Sequence, residues 1–369
     1  MHRLRFDFPP SLQGGPAVYT DPVRVIHADT LEEVVPALVA VQEATETGLH
    51  AAGYVAYEAA PALDPAMAAR GGGAMPLVLF GLFEEPQVYD VETEPVEDSG
   101  PPGRHAPTDP PPGSAYTARA GGADLPLLDW TLEMTREEHA AAVAAIREAI
   151  AEGRTYQVNL TTRLRADGFR GDPEALYHGL RRAQGHGYHA FLDLGRHVVL
   201  SASPELFFLT RGREITTRPM KGTRPRGRWP EEDQGLCQSL RDSMKDRAEN
   251  LMIVDLLRND LGRICRPGAV TVPRLREVER YRTVWQMTST ITGTLRPDAG
   301  LLDTFRALFP CGSVTGAPKI STMEVIARLE QSPREVYCGA IGWVRPGGDA
   351  AFSVPIRTAW LDRSEGRLT

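Results

Sequence analysis

Hydrophobic and polar positions along this chain fall into two rhythms. Helical spacing marks residues 34–44 and 243–261, the latter stopped by Gly262. The clearest helix follows Thr135, where Glu138 three positions on completes a capping box, alanines and isoleucines fill the body, and Gly153 ends it. Strand-like segments are predicted at 53–57, 156–164, 189–194, 197–202, 205–209, 339–344 and 352–357, with a further apolar run at 75–83. Hairpin-like strands beside helices, without regular alternation of the two, predict an α+β fold of mostly antiparallel sheets flanked by helices. Proline and glycine break the pattern between 91 and 128, in Pro95, Gly100 to Gly103, Pro110 to Pro112, Gly121 and Gly122. The division expected is therefore an N-terminal α+β portion at 1–90, a linker or surface excursion at 91–128, and a larger domain at 129–369.

With 42% apolar and 24% charged residues over 369 positions, the chain is expected to be a soluble globular protein with an ample core. A net charge of −7 and the lack of a long basic stripe argue against nucleic acid or an anionic membrane as partner. No stretch reaches the roughly 18 apolar residues of a membrane span, and Met1 to Pro10 lack the apolar run of a signal peptide. The four cysteines, Cys237, Cys265, Cys311 and Cys338, form no CxxC pair, so buried thiols in a reducing cytoplasm are expected.

Charge becomes informative in its details. Of 41 basic side chains only Lys221, Lys245 and Lys319 are lysines. Arginine stays protonated, whereas a lysine amine can lose its proton and act as a nucleophile or base. Lys221 stands among Arg218, Arg224, Arg226 and Arg228 in a Pro/Gly-punctuated segment, where neighbouring positive charge would lower its pKa. The same residues would also make an ordinary solvated basic loop. Asp246 and Glu249, three apart on the 243–261 helix, present two carboxylates on one face, enough for magnesium if an anionic ligand joined them, or equally a solvated acidic face. The run Gly312-Ser313-Val-Thr315-Gly316-Ala-Pro318-Lys319, before a helix expected from about residue 320, offers backbone N–H groups to an oxyanion. It is one residue short of a phosphate-binding GxxxxGK loop, which favours a carboxylate over a nucleotide. Glu205, Gln157, Gln286 and Arg357 stand singly at strand ends.

In this order, Ser-Pro-Glu205, Met-Lys221-Gly-Thr223, Asp246-Arg-Ala-Glu249-Asn and Gly-Ser313-Val-Thr315-Gly316-Ala-Pro-Lys319 resemble the chorismate-utilising enzymes, the family of anthranilate, aminodeoxychorismate, isochorismate and salicylate synthases. The likeness runs from about Trp130 to the C-terminus, and Gly53-Tyr-Val-Ala-Tyr-Glu58 is similar to the N-terminal portion of the aminodeoxychorismate-forming members. Members that add water carry a lysine where this chain has Gln157, so the resemblance implies ammonia as the nucleophile. Lysine at 221 is the habit of the aminodeoxychorismate-forming members, whereas the anthranilate-forming ones usually carry alanine there. Gln286 replaces a histidine of several relatives, which further weakens the anthranilate alternative.

What the resemblance implies for the site is specific. Lys221 would be the covalent nucleophile and Glu205 the acid that protonates the leaving C4 hydroxyl. Arg357, Ser313, Thr315, Gly316, Lys319 and Thr223 would bind substrate carboxylates, and Glu249 with Asp246 would hold Mg2+. Ammonia would come from a separate glutamine amidotransferase subunit, since no cysteine here sits in a nucleophile-elbow context. Relatives continue past the Ile356-Arg357-Thr358 strand into a glycine-rich strand and an acidic helix, beyond the end of this chain at Thr369. That difference predicts a half-complete metal shell and weak magnesium binding, and it leaves a non-catalytic chorismate-binding subunit as the rival expectation.

Overall fold

The structure is a computed structural model that describes residues 1–12, 16–88, 119–120, 123–124 and 128–369. Most of the Pro/Gly-rich segment expected at 91–128 lies outside the described residues.

Two antiparallel sheets face each other. The smaller runs in the order Arg367–Leu368, Thr358–Asp362, His197–Ser203, Tyr188–Asp193, Arg3–Asp7, Ala17–Thr20 and Gln87–Val88. The larger runs Met220–Pro225, Val284–Thr294, Glu214–Arg218, Leu206–Arg211, Ala350–Ser353, Ala340–Val344, His50–Val55, Val78–Phe83 and Arg24–Ala28, with Thr271–Arg280 on the other edge of Val284–Thr294. Strands from before and after the Pro/Gly-rich segment pair within each sheet: Arg3–Asp7 with Tyr188–Asp193, and His50–Val55 with Ala340–Val344.

The period-two geometry of a strand explains the layering. In His50–Val55, Ala52 and Tyr54 enter the core between the sheets with Phe6, Leu192, Trp343 and Ile341, while Ala51 and Val55 face the opposite core. Both faces are buried, so the segment reads as an apolar run instead of an alternation. The opposite core is covered by the helices Leu31–Glu46, Met244–Gly262 and Leu301–Leu308. Phe305 meets Phe208 and Phe352 edge-on at centroid distances of 5.6 and 5.2 Å. Such pairs add about 0.5–1.5 kcal/mol each beyond area burial. The helix Pro173–Gln184 covers the outer face of the smaller sheet, placing Tyr177 against Phe191.

The expected capping box holds the helix Arg136–Ala151: Glu138 N–H donates to Thr135 Oγ1 at 3.2 Å and Thr135 N–H to Glu138 Oε2 at 2.8 Å. Ser243 caps Met244–Gly262 through its side chain alone, accepting from Asp246 N–H at 3.2 Å. The strand expected at 156–164 shrinks to Gln157–Val158 and Leu164–Arg165. Between them the backbone bonds elsewhere: Asn159 N–H donates to Thr315 O at 2.9 Å, and Asn159 O accepts from the Arg334 guanidinium at 2.7 Å. The strand expected at 352–357 ends at Ser353, before Pro355, which has no N–H to give, and Arg357, whose φ is +52°. Among the described residues no helix is long and apolar enough to cross a membrane.

Candidate active site

The strand Met220–Pro225 runs along the edge of Val284–Thr294 with a register shift between Met220 and Thr223. Gly222 makes this possible. Its φ is +92°, and a Cβ there would lie 2.9 Å from Asp246 Cβ, so only glycine lets the strand press against the Met244–Gly262 helix. Lys221, just before it, is half-buried, and its Nζ donates to Ser313 O at 2.8 Å and Asn159 Oδ1 at 3.3 Å.

Burial lowers the pKa of Lys221, opposed by the negative charge of Glu205 and Glu249 and the thiols Cys311 and Cys338. The cause expected from the sequence, neighbouring arginine charge, is corrected here. Each of the four arginines is ion-paired, Arg218 with Glu279, Arg224 with Asp246, Arg226 with Asp233 and Arg228 with Glu232, so their charge is compensated locally.

Glu205 precedes the strand Leu206–Arg211 at the end of the Ser203-Pro-Glu turn, which is stapled by Ser203 Oγ accepting Glu205 N–H at 3.1 Å. Its side chain is buried, and among the described residues its Oε1 has no hydrogen-bond partner. Burial pushes its pKa up to about 7, against the opposing pull of the Ser313 hydroxyl, the Lys221 charge and the Met220 N–H. A carboxyl and an amine that feel each other's charge can rest as an ion pair or as a neutral pair. Burial acts against both charges and so favours the neutral form, a carboxylic acid beside a free amine.

The other expected substrate ligands divide. Ser313 sits in the short helix Gly312–Thr315 and supplies its carbonyl to Lys221. That helix replaces the open anion loop expected at 312–319. The Thr315 hydroxyl is fully buried and donates within its own turn, to Cys311 O at 3.3 Å and Gly312 O at 3.4 Å. Gly316, with φ +138°, serves close packing, since a Cβ there would stand 2.0 Å from Gln157 O. Lys319 donates its ammonium to Asp260 Oδ2 at 2.9 Å and Leu308 O at 3.0 Å, both partners buried. These bonds give it a structural role. Lys319→Ala leaves Asp260 as an uncompensated buried charge and is expected to cost about 3–5 kcal/mol of stability in denaturant unfolding. Unchanged stability with weakened chorismate binding would restore the ligand role.

Thr223 donates its hydroxyl to Gln286 Oε1 at 2.8 Å across the strand pair. Arg357 is exposed, donates to the Gln184 side-chain oxygen, and borders a cavity of about 360 Å³ with Tyr337, Trp360 and Arg163. A second cavity of about 510 Å³ is lined by Asn159, Ser313, Tyr337, Cys338, Arg334 and His139. Lys221 and Glu205 line neither; Lys221 meets the second through Asn159 and Ser313. Asp246 is bonded by Arg224 at 2.8 Å, and Glu249 lies 3.7 Å from Lys245. Among the described residues no cluster of three or more His, Cys, Asp or Glu side chains is poised for a metal.

Two residues of the site escaped the sequence reading. Asn159 stands two positions after Gln157 in no motif of its own, and Arg334 sits in a short Ser-Pro-Arg loop with no distinguishing pattern.

The chorismate binding enzyme family matches residues 11–369. The chain is 47% identical over 238 residues to the aminodeoxychorismate synthase of Streptomyces griseus, covering 64% of this chain and 32% of that protein. It is 45% identical over 233 residues to aminodeoxychorismate synthase component 1 of Klebsiella aerogenes, covering 63% and 51%. It is also 44% identical over 243 residues to anthranilate synthase component 1 of Streptomyces coelicolor, covering 65% and 47%. The matches thus span about half or less of the length of these curated relatives. Anthranilate synthase component I from Streptococcus pneumoniae superposes with a TM-score of 0.73 at 26% identity, covering 99% of this chain and 83% of that one. MenF, the menaquinone-specific isochorismate synthase of Escherichia coli, shares the fold, with a TM-score of 0.71 at 18% identity and coverage of 100% and 81%. With a family match over nearly its whole length and the fold of these enzymes, the chain belongs to the chorismate binding enzymes.

Proposed function

We propose that this chain aminates chorismate at C4, forming 4-amino-4-deoxychorismate on the route to p-aminobenzoate and folate. The observation that carries the reading is a half-buried lysine amine beside a buried carboxyl whose Oε1 is unpartnered and whose pKa is pushed to about 7. In this reading the lone pair of Lys221 forms a bond at C2, the ring double bonds shift, and the C4 oxygen leaves as water with the proton of Glu205. Ammonia then bonds at C4, the double bonds return, and the lysine departs from C2. Arg357 pairs with the enolpyruvyl carboxylate in a fork geometry once freed from Gln184. Ammonia is supplied by a separate glutamine amidotransferase subunit; the component 1 naming of two relatives agrees with a divided enzyme.

Asp246 and Glu249 offer the hard oxygen donors that magnesium takes, and Asp246 packs close to Gly222, next to the nucleophile, which supports this reading. Glu249 would hold it directly and Asp246, already bonded by Arg224, through water. When bound, the ion would supply positive charge to the ring carboxylate.

The test is incubation of the 369-residue chain with chorismate, magnesium and ammonium, with products identified by chromatography and mass spectrometry. Aminodeoxychorismate is the expected product. Anthranilate would reassign the chain to the other activity carried by its relatives, and untouched chorismate would favour a binding subunit.

A further inference from the structure

We propose that Asn159 is a positioning residue that orients the lone pair of the Lys221 amine, and that Arg334 holds the frame in which it does so; this rests on Lys221 being the nucleophile. A neutral lysine amine carries two N–H donors and one lone pair in tetrahedral array. Among the described residues Lys221 has two acceptors, Ser313 O at 2.8 Å and Asn159 Oδ1 at 3.3 Å, one fewer than the three donors of an ammonium. Carbonyl oxygens cannot donate, so with both N–H groups engaged the lone pair points away from them. The two acceptors are also tied to each other, because Asn159 Nδ2 donates to Ser313 O at 3.0 Å.

Arg334 fixes both segments from behind. Its guanidinium donates to Asn159 O at 2.7 Å and Val314 O at 2.9 Å, the peptide oxygens next to the two acceptors. It is itself held by Glu330 through bonds of 2.9 and 2.6 Å and stacked 4.6 Å above the Tyr57 ring. The Arg334 N–H donates to Glu58 Oε1 at 2.6 Å, which anchors the clamp to the N-terminal part of the chain. In the covalent step the lone pair forms the C–N bond at C2, the C4 oxygen leaves with the Glu205 proton as water, and the two N–H groups keep their acceptors.

Glu205, Glu249, Cys311 and Cys338 are the titratable groups that act most on the Lys221 amine, and His139, Tyr337 and Arg334 line the adjoining cavity. An aspartate at 159 would add another carboxylate at hydrogen-bond distance. Because the chain has only three lysines, reductive methylation with formaldehyde and cyanoborohydride reads Lys221 directly, with the exposed Lys245 as internal reference. Asn159→Ala should lower kcat about 100-fold with little change in KM, while Lys221 is methylated at least as fast as in the parent. Asn159→Asp, which keeps the shape, should slow Lys221 methylation relative to Lys245 about tenfold at pH 8 by retaining the proton. A parent-like kcat in Asn159→Ala, or an unchanged methylation ratio in Asn159→Asp, overturns the proposal. If the parent chain does not turn over chorismate, the nucleophile reading fails, and the methylation ratio still decides whether Asn159 governs this amine.

Discussion

Lys221→Ala is expected to lose aminodeoxychorismate formation, with kcat/KM down on the order of 10⁴-fold or more, because the covalent route has no second nucleophile. Neither of the other lysines can stand in. Lys319 is locked to Asp260 and the Leu308 carbonyl, and Lys245 is exposed on a helix, paired with Glu249. Lys221→Arg should fail almost as badly, since a guanidinium keeps its proton where a free amine is needed. The fold should survive both changes, because the lysine head group bonds a backbone carbonyl and an amide and is no one's only ion-pair partner. Product formation by Lys221→Ala at the parent rate, measured with ammonium in excess, would contradict the assignment.

Glu205→Gln should separate activity from stability. A glutamine cannot deliver the proton that the C4 oxygen needs, so turnover is expected to fall about 10²- to 10⁴-fold. Stability should move the other way. The carboxyl pKa is raised from its ordinary 4.5 to about 7 in the fold, so the folded state binds this proton more tightly than the unfolded chain. Its contribution is fully present below pH 4.5 and is lost as the pH climbs through 7. Replacing it with a neutral amide of the same shape should therefore make the protein more stable at pH 8, by about 2–3 kcal/mol, and change little at pH 4. In the parent enzyme the same proton makes turnover decline on the alkaline side of about pH 7. Equal stability of the two proteins at both pH values would show that Glu205 ionises freely and cannot be the acid.

Much of the site was legible because its chemistry is local in the chain. Lys221 stood out as a rare lysine, and Ser203-Pro-Glu205 and the Asp246/Glu249 spacing carry their meaning within a few residues. The capping box at Thr135 and the stop glycines marked helices for the same reason. What stayed hidden depends on distant partners. No pattern within 53–57 tells that this strand pairs with Ala340–Val344, and both of its faces are buried, which erases the alternation. The segment 156–164 looked like a strand because its residue types favour one, yet its backbone is claimed by Thr315 and Arg334. Lys319 shows the same limit: its motif suggests an anion site, and only the fold reveals that Asp260, 59 positions earlier, takes its charge.

On the proposed route Lys221 bonds covalently to the substrate ring. Chorismate and magnesium should be added without ammonia, the reaction quenched in acid, and the digested protein mapped by mass spectrometry. A Lys221 peptide heavier by chorismate less one water is expected, absent in Glu205→Gln and discharged when ammonium is added before the quench. Product formation with ammonium, together with an unmodified Lys221 peptide at every quench time and a reactive Lys221→Ala variant, would contradict it.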